Sequence, residues 1–451
     1  MAQDLSRKIN VLEVHATLGY AGGQRNMVTF AKYLSRDIFS VIVGTYQGGG
    51  ALESELQKLS IPYVLGNGSI LKLLEVIKNN KIDILHIHRS GGSVPIETNL
   101  VQQAKKINPN IVIIEKNVFG KYDPTLDGRI DCSLFQSMMH VQKRYLPASN
   151  KELDFSTMKV MYNNVDGSEL EKFRASTQEI IDFKTRLGIS PDDFIFGKVA
   201  RPAIEKWSDL IINMVPYLVK LNSHIKVVII GCPPSRIKRI EKSRYRSYFC
   251  FIPETNNQKE LHLFYQTINV LAHCSKIGEC NGNTINEAMY WKKPVVTNST
   301  PRKDNGQLEQ IINGLNGYIA NSPLIFARAL AFLASHKDKC EEFGEAGFRQ
   351  TQSVNDPKKN TLQLEKIFIE KCHNKIGNLS LLLASKYAKV KYYPSEDNIK
   401  KFPLEYQKRL AIEYQKQTFI EKIFFTKHIP KMLFYKIKDF LDHKLLSYAR
   451  R

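Results

Sequence analysis

The 451-residue sequence has no apolar run approaching the roughly 18–20 residues of a membrane span. Its start, MAQDLSRKINVLEV, lacks the apolar stretch of a secretory leader, so we expect none. The seven cysteines are odd in number and scattered, and they form no CxxC pair. That pattern argues for a reducing, cytoplasmic setting and against a structural zinc site. The chain carries no GxGxxG fingerprint and no GKS or GKT, which weakens nicotinamide-dinucleotide and P-loop readings. No nucleic-acid-binding motif is recognisable.

What is present is a large apolar fraction, 43%, enough for an extensive core, in a chain too long for one ordinary domain. The net charge of +21 points to a polyanionic partner: nucleic acid, anionic lipid or a phosphate-bearing small molecule. About half of that excess lies in residues 374–451, so the tail is read apart from the body.

Along the body, short β-branched runs alternate with amphipathic helical stretches. Strands are expected over residues 9–14, 39–43, 82–87, 111–114, 132–135 and 160–162. Several are almost continuously apolar, the mark of a parallel sheet covered on both faces. After a polar connector near 166–190, the alternation resumes with strands over 194–200, 227–230, 248–252, 268–272 and 295–297 and helices over 208–221 and 283–291. The implied class is α/β, with two doubly wound domains facing across a cleft. We set the boundaries at 1–170, 171–372 and a basic, helical extension at 373–451.

Three stretches carry chemistry. In HATLGYAGGQRN, Gly22 and Gly23 lie between a strand and a helix, where backbone can approach a ligand closely and a helix N-terminus favours an anion; a plain tight turn is the alternative. In GKVARPAIEKWSDL, Arg201 and Lys206 fall just past a strand end, a placement that favours a diphosphate-binding role over the alternative of solvated surface cations. In GECNGNTINEAM, Glu279 stays on a loop while Glu287 lies about one turn inside a helix that starts near Gly282, Asn283 and Thr284. Two carboxylates around an anion-binding helix end fit a ligand with hydroxyls at both ends and phosphates between them, such as a nucleotide sugar.

Glu-x7-Glu followed by Ala-Met and Lys-Pro-Val-Val resembles the donor motif of retaining glycosyltransferases of the GT-B fold, family-4 type (glycosyl transferases group 1). INVLEVHATLGYAGGQRNMV, ILHIH, MYNNVD, VARPAIEKWSDL and NGLNGYIA resemble other segments of that family, in order, from about residue 9 to about residue 372. The resemblance implies that Glu287 holds the donor ribose, that Glu279 lies by the donor sugar, and that Arg201 and Lys206 neutralise the leaving diphosphate. It implies that Gly22 and Gly23 let the first loop approach the phosphates, with no bound metal and no cofactor beyond the nucleotide-sugar donor. Lys116 stands where many members carry a histidine near the reacting sugar, and Cys280 and Asn281 stand where the family often shows glycine and phenylalanine.

The expected acceptor is a glycan or lipid-linked glycan in cell-surface glycan assembly. The protein would be cytoplasmic, with the 373–451 extension touching an anionic membrane face or packing back on the body. The rival readings are a sugar-nucleotide epimerase or phosphorylase-like enzyme of the same fold, and a nucleic-acid-binding protein. The last ranks low, and no nucleic-acid partner is expected. His86 and His88 share a strand face and could ligate a metal, or simply end a strand near the cleft.

Overall fold

The computed structural model describes residues 7–145, 153–300, 303–373 and 379–402. The strands are β1 (Ile9–His15), β2 (Phe39–Thr45), β3 (Tyr63–Leu65), β4 (Ile84–Gly91), β5 (Val112–Lys121), β6 (Cys132–Phe135) and β7 (Met158–Val160) in the first half. The second half holds β8 (Phe194–Val199), β9 (Ile225–Ile230), β10 (Phe249–Ile252), β11 (Val270–His273), β12 (Val295–Thr297) and β13 (Gly317–Ile319). The first seven form one sheet in the order β3-β2-β1-β4-β5-β6-β7, and the remaining six form a second, β10-β9-β8-β11-β12-β13. Every pairing between these strands is parallel. The expected α/β architecture of two Rossmann-like sheets is what the chain adopts.

Alternation within the first strands shows why both faces must be covered. Ile9, Val11, Ile84, Val112 and Ile114 enter one core with the helix Gly22–Tyr33. Leu12, Val14, Leu85, Ile87 and Ile113 enter another on the opposite face, with the helix Pro95–Ile107. In the second sheet, Phe196, Val227, Ile229, Val270 and Val296 pack with Trp207, Phe326 and Leu330.

The connector is ordered by a capping box, in which Ser176 and Glu179 satisfy each other's backbone N–H groups at the start of the helix Thr177–Arg186. The helix expected over 208–221 is broken into Leu210–Asn213 and Val215–Leu221, with Pro216 in the first turn of the second piece.

The helix Pro357–Cys372 returns to the first sheet. Leu364, Ile367, Phe368 and Ile369 are buried against Ile9, Val11 and Phe39, and Phe39 meets Phe368 edge to face. Leu379 and Tyr387 continue that core, and the Tyr387 hydroxyl donates to Glu365 at 2.8 Å. Residues 403–451, most of the basic extension expected at 373–451, lie outside the described residues. Among the described residues, no helix is long and apolar enough to cross a membrane.

Charged side chains lie inside the first sheet. Glu13 is fully buried, with His86 Nδ1 at 2.9 Å and His88 Nε2 at 3.0 Å. Arg89, also buried, reaches Glu97 at 3.2 Å, Glu115 at 3.3 Å and Asp123 at 2.7 Å. These networks extend β4 and β5 beyond the apolar runs read from the sequence.

Candidate functional site

The carboxyl ends of both sheets meet at a cleft. Its pocket is lined by Tyr20, Gly22 and Arg25 from the first half and by His262, Asn283 and Glu287 from the second. The helix Asn283–Tyr290 begins here. Its cap residue is Gly282, and no side chain caps it, so the Asn and Thr that might have done so leave the helix N-terminus open for an anion. Gln310 anchors the turn by accepting from the Gly282 N–H at 2.9 Å and donating to the Gly282 carbonyl at 3.0 Å.

The glycine loop comes against that helix end. A Cβ on Gly22 would lie 2.4 Å from Asn283 Nδ2, and one on Gly23 would lie 2.9 Å from His15 Nε2. Asn283 is itself held, since Asn163 Nδ2 donates to its Oδ1 at 2.8 Å and to the Asn281 carbonyl at 3.1 Å. Asn163, in the MYNNVD segment, thus ties the domain junction to the loop that leads into the helix Asn283–Tyr290. Asn164 is held in turn, its N–H donating to Asn26 Oδ1 at 2.9 Å and its Oδ1 accepting from Asn360 Nδ2 at 3.0 Å.

Glu287 is buried and bears two partners. Arg25 Nη2 reaches its Oε1 at 2.6 Å, and the Tyr265 hydroxyl donates to its Oε2 at 3.0 Å. Burial alone would push the carboxyl upward, but the guanidinium outweighs it and holds Glu287 below the usual carboxylate range.

Glu279 occupies the second pole. Lys206 Nζ reaches its Oε2 at 3.0 Å, and His273 Nε2 its Oε1 at 3.0 Å. Burial raises the carboxyl, yet the hydrogen bond from His273 and the Lys206 ammonium bring it down to about 2, so it stays ionised near neutrality. Behind this pair, Lys198 is fully buried, 3.4 Å from His273 Nδ1 and over the Trp207 ring at 5.2 Å. Burial lowers the Lys198 ammonium, and it brings His273 to about 4.

Of the residues singled out in the sequence, Lys206 and Glu279 are brought into contact, and Gly22, Gly282, Asn283 and Glu287 surround the helix end. Thr284 belongs to the first turn of the same helix, and Gly23, in the first turn of the helix Gly22–Tyr33, lies against His15. Arg201 is exposed on the loop after β8, with its carbonyl accepting from Trp207 Nε1 at 2.7 Å. Lys116 is not presented to the pocket. It is fully buried in β5, donates to the Met161 carbonyl at 2.6 Å, and lies 5.5 Å over the Phe30 ring. His86 and His88 turn inward to Glu13 rather than to the cleft.

Four participants went unread in the sequence: Arg25, Tyr265, His273 and Asn163. Arg25 directly follows the Gly22-Gly23-Gln24 turn, which was a usable signal. Asn163 stands in the quoted MYNNVD segment, which carries no assigned role for it, and Tyr265 and His273 belong to no motif that marks them.

Two sheets of Rossmann type facing across such a cleft define the GT-B fold. Solved structures share it. A glycosyltransferase from Rickettsia africae is 18% identical, covers 82% of this chain and 100% of its own, and superposes with a TM-score of 0.67. Anabaena HepE in complex with UDP is 17% identical, with 80% and 99% covered and a TM-score of 0.61. WaaG, a glycosyltransferase involved in lipopolysaccharide biosynthesis, is 12% identical, with 78% and 98% covered and a TM-score of 0.54. No curated protein sequence matches the chain. The family model of glycosyl transferases group 1 matches residues 179–350, the stretch that holds Lys206, Glu279 and Glu287.

Proposed function

We propose that the protein is a retaining glycosyltransferase that moves a sugar from a nucleotide-sugar donor to a hydroxyl of a glycan or lipid-linked glycan, in cell-surface glycan assembly. The observation that carries this reading is the uncapped helix N-terminus at Asn283, flanked by Glu287 on one side and the Lys206–Glu279 pair on the other. Glu287 accepts from the ribose hydroxyls, the helix end and Lys206 meet the diphosphate, and Glu279 faces the sugar. Arg201, exposed on its loop, closes over the leaving group.

When the bond from the anomeric carbon to the diphosphate breaks, negative charge grows on the leaving oxygens. A fixed ammonium and a fixed row of N–H groups stabilise that charge without reorganising. The transfer step itself therefore needs no metal. Lys116, bonded to a backbone carbonyl inside the sheet, has no part in it. The basic excess over 374–451 supports a site of action at the inner membrane face.

The test is turnover of UDP-, GDP-, ADP- and CMP-sugars by the full chain, with and without glycan acceptors. UDP-sugars come first because the HepE neighbour was solved with UDP. Release of nucleotide that requires an acceptor supports transfer. Conversion of a nucleotide sugar without acceptor would instead mark an epimerase, and salt-sensitive DNA binding without nucleotide binding would overturn the enzyme reading.

A further inference from the structure

A second cluster lies where the two domains touch, on the far side of the donor loop from Glu287. His140, near the start of the helix Met138–Tyr145, belongs to the first domain. Cys280, next to Glu279, and Asp304 belong to the second. One ligand atom from each lies within 4.8 Å of the other two. His140 Nε2 is 3.6 Å from Asp304 Oδ1, and Cys280 Sγ is 3.5 Å from Asp304 Oδ2.

Taken pair by pair, with Asp304 Oδ1 facing His140 and Oδ2 facing Cys280, each separation is one that neighbouring ligands of a tetrahedral zinc show, and a turn of the carboxylate brings one oxygen to serve both. Bonds of about 2.3 Å to sulfur and about 2.0–2.2 Å to nitrogen and oxygen put such ligands about 3.4–3.6 Å apart. The His140 ring supplies an independent sign. It is 0% exposed, and neither of its nitrogens has a hydrogen-bond partner. A buried imidazole with two unsatisfied nitrogens is costly, and a ligand that takes one of them removes most of that cost.

We propose that His140, Cys280 and Asp304 form a binding site for a divalent transition metal of the zinc class, which clasps the first domain to the donor loop. A thiolate, an imidazole and a carboxylate are the donor set such an ion prefers. One thiolate and one carboxylate also balance its two charges. The Asp304 carboxylate also places negative charge beside the Cys280 sulfur, which favours a cation there. Lys206, beside the neighbouring Glu279, is already paired with that carboxylate. Cys280 and Asp304 keep partial exposure, which gives an ion its way in and leaves a fourth position to water.

The other histidine cluster does not compete. Glu13 already receives hydrogen bonds from His86 and His88, and Phe30 and Phe368 pack over their rings. The site at His140 escaped the sequence reading, which expected no metal, because its three ligands come from three distant stretches. It stands apart from the transfer reading: the ion binds whether or not the protein moves a sugar.

The test uses the full chain, stripped with a chelator and titrated with Zn2+ against a chromophoric competitor and with Co2+ by absorption. One equivalent is expected, with a thiolate-to-cobalt charge-transfer band. Cys280→Ser should lose that band and weaken Zn2+ binding by at least about 10-fold, as should His140→Gln and Asp304→Asn for the affinity. Cys340→Ser, at a partly exposed cysteine outside the cluster, should bind like the wild type. Should the variants fail to fold, alkylation of the wild type gives the answer: stoichiometric Zn2+ should shield Cys280 on its mapped peptide. No stoichiometric uptake, a band that survives in Cys280→Ser, or Cys280 alkylated equally with and without Zn2+ would each overturn the proposal.

Discussion

Arg25 Nη2 stands 2.6 Å from Glu287 Oε1, so the residue just after the glycine loop of one domain ion-pairs with the buried carboxylate of the other. The remaining oxygen of Glu287 is taken by Tyr265. On the proposed reading, a ribose that uses Glu287 shares or displaces the guanidinium, which would couple nucleotide binding to the contact between the domains.

Glu287→Gln tests the anchor. It keeps the shape and loses the charge, so hydrogen bonds from ribose hydroxyls become neutral ones and Arg25 is left unpaired. Charge-assisted bonds of this kind are worth about 1.5–3 kcal/mol. We expect nucleoside diphosphate affinity by calorimetry to fall about 10- to 100-fold. Equal affinity in the variant would remove Glu287 from the donor site.

Lys206→Met should act on the rate rather than on donor binding. Lys206 is fixed by Glu279 at 3.0 Å, ready for charge that appears only as the diphosphate leaves. Loss of one preorganised donor typically costs about 100- to 1,000-fold in kcat. The expected result is a fall of that order with KM changed much less. A rise in KM with kcat intact would mean that Lys206 binds ground-state phosphate only.

Gly22→Ala tests the close approach of the loop. The added methyl would sit 2.4 Å from Asn283 Nδ2, and that amide is pinned by Asn163. The loop must back away from the helix N-terminus. Donor affinity should drop while the melting temperature falls only slightly, since Gly22 is the first residue of its helix and the loop that precedes it can take up the shift. Unchanged affinity would show that the loop and the helix end need not meet for binding.

These residues also show what could be read in advance. Glu279, Glu287, Lys206 and the glycine pair stand within short, ordered motifs, so local sequence carried them to the cleft. The alternation of Ile9, Val11, Leu12 and Val14 between two cores was equally visible as an apolar run. Arg25, Tyr265 and His273 were not, because each acts through a partner brought near only by the fold. β5 misled in another way. Its strand was read as ending at Ile114 because Glu115, Lys116 and Asn117 are polar. In the folded chain, Glu115 is buried against Arg89, and Lys116 against the Met161 carbonyl, so the strand continues through them.

Lys116 yields the pH prediction. Burial brings its ammonium down to about 7 from an ordinary 10.5, with the Glu13 carboxylate opposing part of that fall. In the unfolded chain the group keeps its proton up to about 10.5. Between pH 7 and 10.5 the unfolded state therefore binds more protons than the folded one, and folding stability rises with pH across that window. One proton contributes at most about 1.4 kcal/mol per pH unit. Lys116→Met removes this contribution while filling most of the same volume. Other groups titrate alike in both proteins, so the quantity to measure is the wild-type stability minus that of the variant, by denaturant unfolding at pH 6, 7, 8 and 9. The difference should be flat below pH 7 and grow in favour of the wild type above it. A difference flat to pH 9 would mean that the buried lysine stays charged, and the Glu13 carboxylate would then be its counter-ion rather than a minor influence.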